Sequence, residues 1–154
     1  PKAAGSRRFA VVTGPVAPVG EAEPEPEAEG AGVGADAPGV AGADAPWAAL
    51  LPALDPTPMT RPDRDWFLEP ALRPALFDGS GNVGPTVWWD GRVVGGWAQR
   101  PGGEVVWRVL DDREVGREAL DAIAAEAARA QAWLDGTRVT PRFRTPLEKE
   151  LSSG

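Results

Sequence analysis

The fold of this chain is decided by residues 85–97, which read PTVWWDGRVVGGW. The Asp90-Gly91 pair separates two runs rich in β-branched and aromatic residues, and such a pair favours a two-residue β-hairpin turn. The turn sets the register of the two strands, which pairs Trp89 with Arg92, Trp88 with Val93, and Val87 with Val94. We therefore predict an antiparallel hairpin centred on Asp90 and Gly91.

Alternation of side chains along this hairpin predicts two apolar faces. One face carries Trp88, Val93 and Trp97, and the other carries Val87, Trp89, Val94 and Ala98. Since neither face is polar, we expect other parts of the chain to cover both sides. Gly95 and Gly96 favour a sharp bend in the second strand, as at the corner of a barrel.

Shorter elements flank the hairpin. Residues 47–56 read as a short buried strand or turn that Pro52 restricts to an edge position, and residues 105–110, VVWRVL, read as a third antiparallel strand. Four prolines limit residues 57–77 to short helical turns. All seven Trp residues lie between residues 47 and 133. Base stacking is an alternative role for them, but we expect them mainly to build the core.

Residues 113–135 change to a helical period. Apolar side chains recur at helical spacing at Leu120, Ile123, Ala127, Ala130 and Leu134. Asp111 with Glu114 resembles a capping box, and Gly136 favours the end of the helix. The predicted fold class is α+β, with an antiparallel β-meander or partial barrel and a C-terminal helix, preceded by a disordered linker.

The domain organisation follows from composition. Residues 1–19 are interpreted as the remnant of a preceding domain, with a strand-like run at residues 9–12. Residues 20–46 contain five Glu, two Asp, no Lys or Arg and no aromatic residue, so we predict a disordered acidic linker. Residues 47–136 form the predicted β-rich domain with its C-terminal helix, and residues 137–154 a basic tail. Because the chain begins at Pro1 rather than Met, we expect it to be the C-terminal portion of a larger protein.

Composition excludes several kinds of chemistry. The chain has no His and no Cys, which removes His general bases, Cys nucleophiles, Cys/His zinc sites and disulfides. We predict no catalytic residue, metal site or cofactor, and the glycines of residues 79–82 lack the Lys of a phosphate-binding loop. No run of about 18 apolar residues predicts a membrane span. The linker alone accounts for the net charge of −7, so the rest of the chain is neutral.

Several sequence pieces together carry a resemblance to a known family. They are LLPALDP at residues 50–56, RDWF at 64–67, GPTVWWDGRVVGGW at 84–97, the following helix, and PRFRTPL at 141–147. In this order they resemble the end of the bacterial winged-helix DNA-binding domain family. That family includes the DNA glycosylases that remove bulky alkylated bases and unhook interstrand crosslinks.

The resemblance implies a function as a C-terminal accessory domain of a winged-helix DNA-binding protein, plausibly a DNA repair glycosylase. It implies double-stranded DNA and upstream winged-helix domains as partners, and a cytoplasmic location. The family's glycosylases use a Gln-x-Gln or Gln-x-Asp motif, which neither Gln99 nor Gln131 matches, so the fragment itself is expected to be inactive. A non-enzymatic structural or protein-interaction module and part of a transcription regulator are the alternatives.

Basic residues mark the predicted contact with DNA. They are Arg92 beside the hairpin turn, Arg100 at the far end of the same strand, and Arg138, Arg142 and Arg144 in the tail. We expect the hairpin tip and residues 138–144 to face the nucleic acid, where Arg side chains contact phosphates or a narrow minor groove. The competing interpretation is that Arg92 only stacks on Trp89.

Overall fold

The structure, a computed structural model, describes residues 45–60, 63–111 and 115–153. Within these residues four strands form one antiparallel sheet in the order β1-β2-β3-β4. The strands are β1 (Ala48–Leu51), β2 (Thr86–Trp89), β3 (Arg92–Gln99) and β4 (Val105–Val109). The helices are α1 (Pro56–Thr60), α2 (Arg73–Leu76), α3 (Arg117–Leu134) and α4 (Pro146–Ser152), with a 3-10 turn at Pro70–Leu72. The predicted α+β meander with a C-terminal helix is confirmed.

The predicted hairpin is formed by β2 and β3. Asp90 and Gly91 both have positive φ, 45° and 78°, which is the conformation of a type I′ turn. Trp88 pairs with Val93 and Trp89 with Arg92, as expected. Strand β1 lies at the sheet edge, as Pro52 indicated.

The pairing predicted farther from the turn is wrong, because β3 contains a bulge. Val87 pairs with Gly95, so Val94 is an extra residue in its strand. An ideal Cβ on Gly95 would lie 2.0 Å from the carbonyl oxygen of Arg108, so this glycine lets β4 approach closely. One extra residue reverses the alternation beyond it, so Trp97 and Ala98 exchange the faces predicted for them.

Both faces of the sheet are covered, as the apolar hairpin predicted. The first core cluster lies under α2 and α4, and its buried members include Phe67, Leu76, Trp88, Val93, Ala98, Val106, Leu147 and Leu151. The second lies under α3, and its buried members include Val87, Val94, Val105, Trp107, Ile123, Ala127 and Leu134. Because α3 contacts both edge strands, it spans the full width of the sheet.

Helix α3 begins later than the sequence predicted. Its first residue is Arg117 and its N-cap is Gly116, which makes no side-chain cap. The predicted capping pair of Asp111 and Glu114 falls partly on residues 112–114, which lie outside the described residues; the Asp111 N–H donates to Val94 O at the bulge, at 3.2 Å. The helix ends as expected, with Asp135 and Gly136 in the left-handed region. No helix of the described residues is long and apolar enough to cross a membrane.

The segment predicted as a basic tail contains α4. Leu147 and Leu151 from this helix are buried in the first core cluster.

The Trp residues divide differently from the prediction: Trp88 and Trp107 are buried, whereas Trp47, Trp66 and Trp133 are exposed by 49%, 61% and 84%. The predicted preceding-domain strand at residues 9–12 and the predicted linker up to residue 44 lie outside the described residues.

Candidate nucleic-acid interface

The five arginines predicted to contact DNA lie at two ends of the sheet. Arg92 follows the hairpin turn at the start of β3, and Arg100 follows the other end of that strand. The seven residue steps between Arg92 and Gln99 correspond to about 23 Å of extended chain. Residues 137–139 are bonded to Gln99, so they lie at the end opposite the turn. The structure therefore does not bring the hairpin tip together with residues 137–145, which we call the basic segment.

Arg100 and Arg144 support the fold at their end of the sheet. The Arg100 Nη1 donates to Glu104 Oε2 at 2.8 Å, and its Nε reaches Leu151 O at 3.4 Å. The Arg144 Nη1 donates to Ser152 Oγ at 3.0 Å. Both side chains are thus attached to α4 or to the β3–β4 turn, which leaves them less free to meet a phosphate than their charge alone suggests.

Unlike Arg100 and Arg144, Arg138 and Arg142 make no bond to α4 or to the β3–β4 turn among the contacts of the described residues. Both side chains are exposed, and no acidic side chain of the described residues pairs with either guanidinium. The Arg142 guanidinium lies 5.6 Å from the centre of the Phe143 ring, which is itself 65% exposed. An exposed arginine without a carboxylate partner is available for an anionic ligand.

The backbone that carries these two arginines is held at both ends. At its start, Val139 N donates to Gln99 Oε1 at 2.9 Å, and Gln99 Nε2 donates to Thr137 O at 2.8 Å. At its end, Thr145 caps α4 and is buried. Hydrogen bonds thus attach both ends of residues 137–145 to the rest of the domain.

The cap at Thr145 includes a buried carboxyl group. Glu148 N donates to Thr145 Oγ1 at 3.5 Å, and the Glu148 carboxylate accepts from the Thr145 backbone N–H, as in a capping box. Burial raises the pKa of Glu148, although this N–H and nearby Arg144 act in the opposite direction. Glu148 Oε2 is buried and has no hydrogen-bond partner among the described residues.

Two cavities lie beside the basic segment and share Ala53 and Pro141 in their walls. One has a volume of about 360 Å³ and is lined mainly by apolar side chains, including Trp97 and Trp133. The other, of about 400 Å³, includes Leu54, Asn82, Arg142 and Phe143 in its walls. Sequence reasoning missed both, because their aromatic rings come from parts of the chain far apart in sequence.

The described residues offer no metal centre. No group of three or more His, Cys, Asp or Glu side chains in that part of the chain is arranged to hold a metal ion. The two Gln residues of the sequence are engaged with the backbone, since Gln131 accepts from Val105 N at 2.6 Å and Gln99 binds Thr137 and Val139. Both side chains therefore have a structural role.

Comparison with known families concerns the part of the chain that precedes the basic segment. A family model described as DNA glycosylase AlkZ-like matches residues 6–133, which is most of the chain. The chain belongs to the AlkZ-like DNA glycosylase family. No curated protein and no solved structure matches it. The AlkZ-like match includes the β2–β3 hairpin and α3, and it ends at Trp133, before the basic segment and α4.

Proposed function

We propose that this chain is the C-terminal accessory part of a DNA repair glycosylase with upstream winged-helix domains, and that it holds double-stranded DNA without supplying a catalytic residue. The AlkZ-like family match over residues 6–133 carries the proposal. We expect the protein to act in the cytoplasm, where bacterial chromosomal DNA lies.

Arg138 and Arg142 are the proposed phosphate contacts. They are exposed, they lack carboxylate partners among the described residues, and the segment that carries them is hydrogen-bonded to Gln99 at its start. Arginine binds phosphate oxygens strongly because its planar fork donates two hydrogen bonds in parallel. In this proposal Arg100 and Arg144 act indirectly, by holding the surface that carries the two contacting residues.

Arg92 is a second, separate contact in this proposal. It lies about 23 Å along β3 from the basic segment, which corresponds to roughly seven base-pair steps of duplex at about 3.4 Å each. Because helices cover both faces of the sheet, a duplex that reaches both ends must pass outside those helices. Asp90, exposed at the turn, opposes phosphate approach there, so we expect Arg92 to contribute less than Arg138 or Arg142.

Base removal is assigned to residues outside those described. Gln99 and Gln131 both bind backbone groups, and the carboxyl of Glu148 is buried in a helix cap. The described residues thus hold these three groups in structural roles. We expect this chain alone to release no base from alkylated DNA. Base release at a rate proportional to the concentration of the purified chain would contradict this assignment.

Binding to a fluorescein-labelled duplex of 20 base pairs tests the DNA contact. Fluorescence anisotropy should show weaker binding for Arg138→Ala and for Arg142→Ala, with Kd raised about three- to tenfold each. Arg117→Ala is the matched control, because Arg117 is also exposed but lies at the opposite end of α3 from Trp133. Equal affinity for all three variants and the unsubstituted chain, with equal thermal stability, would contradict the proposal.

A further inference from the structure

An unusual number of apolar side chains is exposed at one end of the sheet. We call this region the aromatic-basic surface, and its members are Leu54, Trp133, Arg138, Val139, Arg142 and Phe143. The exposed fractions of the four apolar members are 59% for Leu54, 84% for Trp133, 59% for Val139 and 65% for Phe143. Grouped exposed apolar side chains in a soluble domain mark a binding surface more often than single ones do.

The backbone behind this surface contains one strained residue, Leu54, and a hydrogen-bonded connection to Gln99. Leu54 has a φ of 62°, in the left-handed region that a leucine rarely adopts, and its N–H donates to Val83 O at 3.0 Å. On the other side, Gln99 holds the Val139 backbone. Strained backbone is frequent at binding sites, where surrounding contacts hold a conformation that costs stability.

The charge of this region favours an anion. Residues 133–145 contain three Arg and one Asp, a net charge of +2. Because Arg144 lies 3.9 Å from the Glu148 carboxylate, the attraction for an anion comes from the exposed Arg138 and Arg142. Two further carboxylates line the neighbouring cavities. Asp78 accepts from Asn82 Nδ2 and from Ser80 N, both at 2.9 Å, and Glu148 is buried, so neither is presented to a ligand as a bare exposed charge.

A surface with exposed aromatic rings beside arginines is better suited to bind unpaired nucleotides than an intact duplex. The bases of a duplex are stacked on each other, whereas an unpaired base offers its face to an aromatic side chain. Trp133 and Phe143 line two cavities of about 360 and 400 Å³ that share a wall at Ala53 and Pro141. Cavities of this size take small planar ligands, and two that adjoin can take consecutive bases.

We propose that the aromatic-basic surface binds unpaired nucleotides, with Trp133 and Phe143 stacking on two neighbouring bases and Arg138 and Arg142 on their phosphates. This inference rests on the proposed function as a DNA-holding unit and names the form of DNA that the unit selects. It assigns the chain a preference for DNA with an open segment, such as a gap or an unwound stretch, over a closed duplex.

The test compares two labelled DNA probes on the full chain. One is an intact duplex of 20 base pairs. The other is the same duplex lacking four central nucleotides of one strand, so that four thymidines of the other strand are unpaired. The gapped probe should bind at least about fivefold more tightly, since stacking on one base changes Kd by roughly five- to a hundredfold. Phe143→Ala and Trp133→Ala should each reduce this preference, and Phe143→Tyr should retain it. Trp66→Ala is the control, because Trp66 is 61% exposed but packs on Phe67 of the first core cluster and lines neither cavity.

The outcomes separate the two proposals. Equal binding of both probes by the unsubstituted chain would overturn the preference for unpaired nucleotides, while a weaker affinity in Arg138→Ala would still support the DNA contact. Binding of neither probe would overturn both. A preference that persists in a folded Trp133→Ala/Phe143→Ala double variant would overturn the assignment of these rings. Photocrosslinking from 4-thiothymidine in the gap gives an independent readout, and crosslinks confined to peptides without residues 133–143 would also overturn it.

Discussion

The side-chain amides of Gln99 and Gln131 donate to the same carbonyl oxygen, that of Gly103, at 3.2 and 3.1 Å. Gln131 also accepts from Val105 N, and Gln99 also binds the backbone at Thr137 and Val139. This shared acceptor connects the β3–β4 turn, α3 and the start of the basic segment. The position of the proposed DNA contacts therefore depends on one polar network at the end of the sheet.

Removal of the Gln99 side chain should detach the start of the basic segment from β3. Gln99→Ala deletes the bonds to Val139 N and Thr137 O, so we expect faster hydrogen exchange at the Val139 amide and a Kd for duplex DNA raised about two- to fivefold. The free energy of unfolding should fall by about 1 kcal/mol. Gln131→Ala is the control: it should expose the Val105 amide and leave Val139 protected. Unchanged exchange at Val139 in Gln99→Ala would contradict this role.

The bulge in β3 requires glycine at position 95. In Gly95→Ala the new Cβ would lie 2.0 Å from Arg108 O, so β3 and β4 must separate or the chain must shift. We expect the free energy of unfolding, measured by urea denaturation, to fall by about 3 kcal/mol or more. Gly102→Ala is the matched control, because nothing lies within 4 Å of its ideal Cβ. A Gly95→Ala variant as stable as Gly102→Ala would show that this register is not the native one.

The cap at Thr145 should contribute to the stability of the whole domain, since α4 packs into the first core cluster. Thr145→Ala removes the hydroxyl that accepts from Glu148 N, and we expect the free energy of unfolding to fall by about 1–2 kcal/mol. Thr145→Ser keeps the hydroxyl and should retain most of that stability. Equal destabilisation of both variants would mean that the methyl group, and not the cap, matters.

Glu148 should make stability depend on pH in a defined direction. Burial raises the pKa of this carboxyl in the folded chain, so the folded state binds its proton more tightly than the unfolded state does. Stability from this group is present at pH values below its ordinary pKa of 4.5 and declines as pH rises through the folded pKa. Glu148→Gln keeps a capping acceptor but cannot ionise.

The measurement is thermal unfolding of the unsubstituted chain and of Glu148→Gln between pH 4 and pH 8. The difference in Tm between the two proteins should shift in favour of Glu148→Gln as pH rises. A difference that does not change with pH would mean that the folded and unfolded pKa values of Glu148 are the same.

Local sequence signals predicted much of the fold. The Asp90-Gly91 pair predicted a two-residue turn and the first two strand pairs, and both are present. The prediction failed at Val94, because a bulge depends on how closely β4 approaches, which is a contact between distant residues. The start of α3 was placed too early: the helix begins at Arg117 after Gly116, and a glycine offers no side-chain cap that would have marked the start.

The site was harder to predict than the fold. Charge alone suggested all five arginines as DNA contacts, which stays a prediction, and charge did not show that Arg100 and Arg144 are engaged in the fold. One available signal was overlooked: Thr145 and Glu148 have the spacing of a capping box, which indicated a helix within the predicted tail. The exposure of Trp133 agrees with the helical period, because Trp133 lies about 100° around α3 from the buried Leu134.

The most direct test of the DNA contact is the salt dependence of duplex binding by the Arg138→Ala/Arg142→Ala double variant. The slope of log K against log salt becomes shallower by roughly 0.9 for each duplex phosphate that the protein no longer neutralises. If both arginines meet phosphates, the slope should decrease in magnitude by about 1.8 relative to the unsubstituted chain, and the Arg117→Ala control should leave it unchanged. An unaltered slope in the folded double variant would contradict the claim that these residues contact DNA.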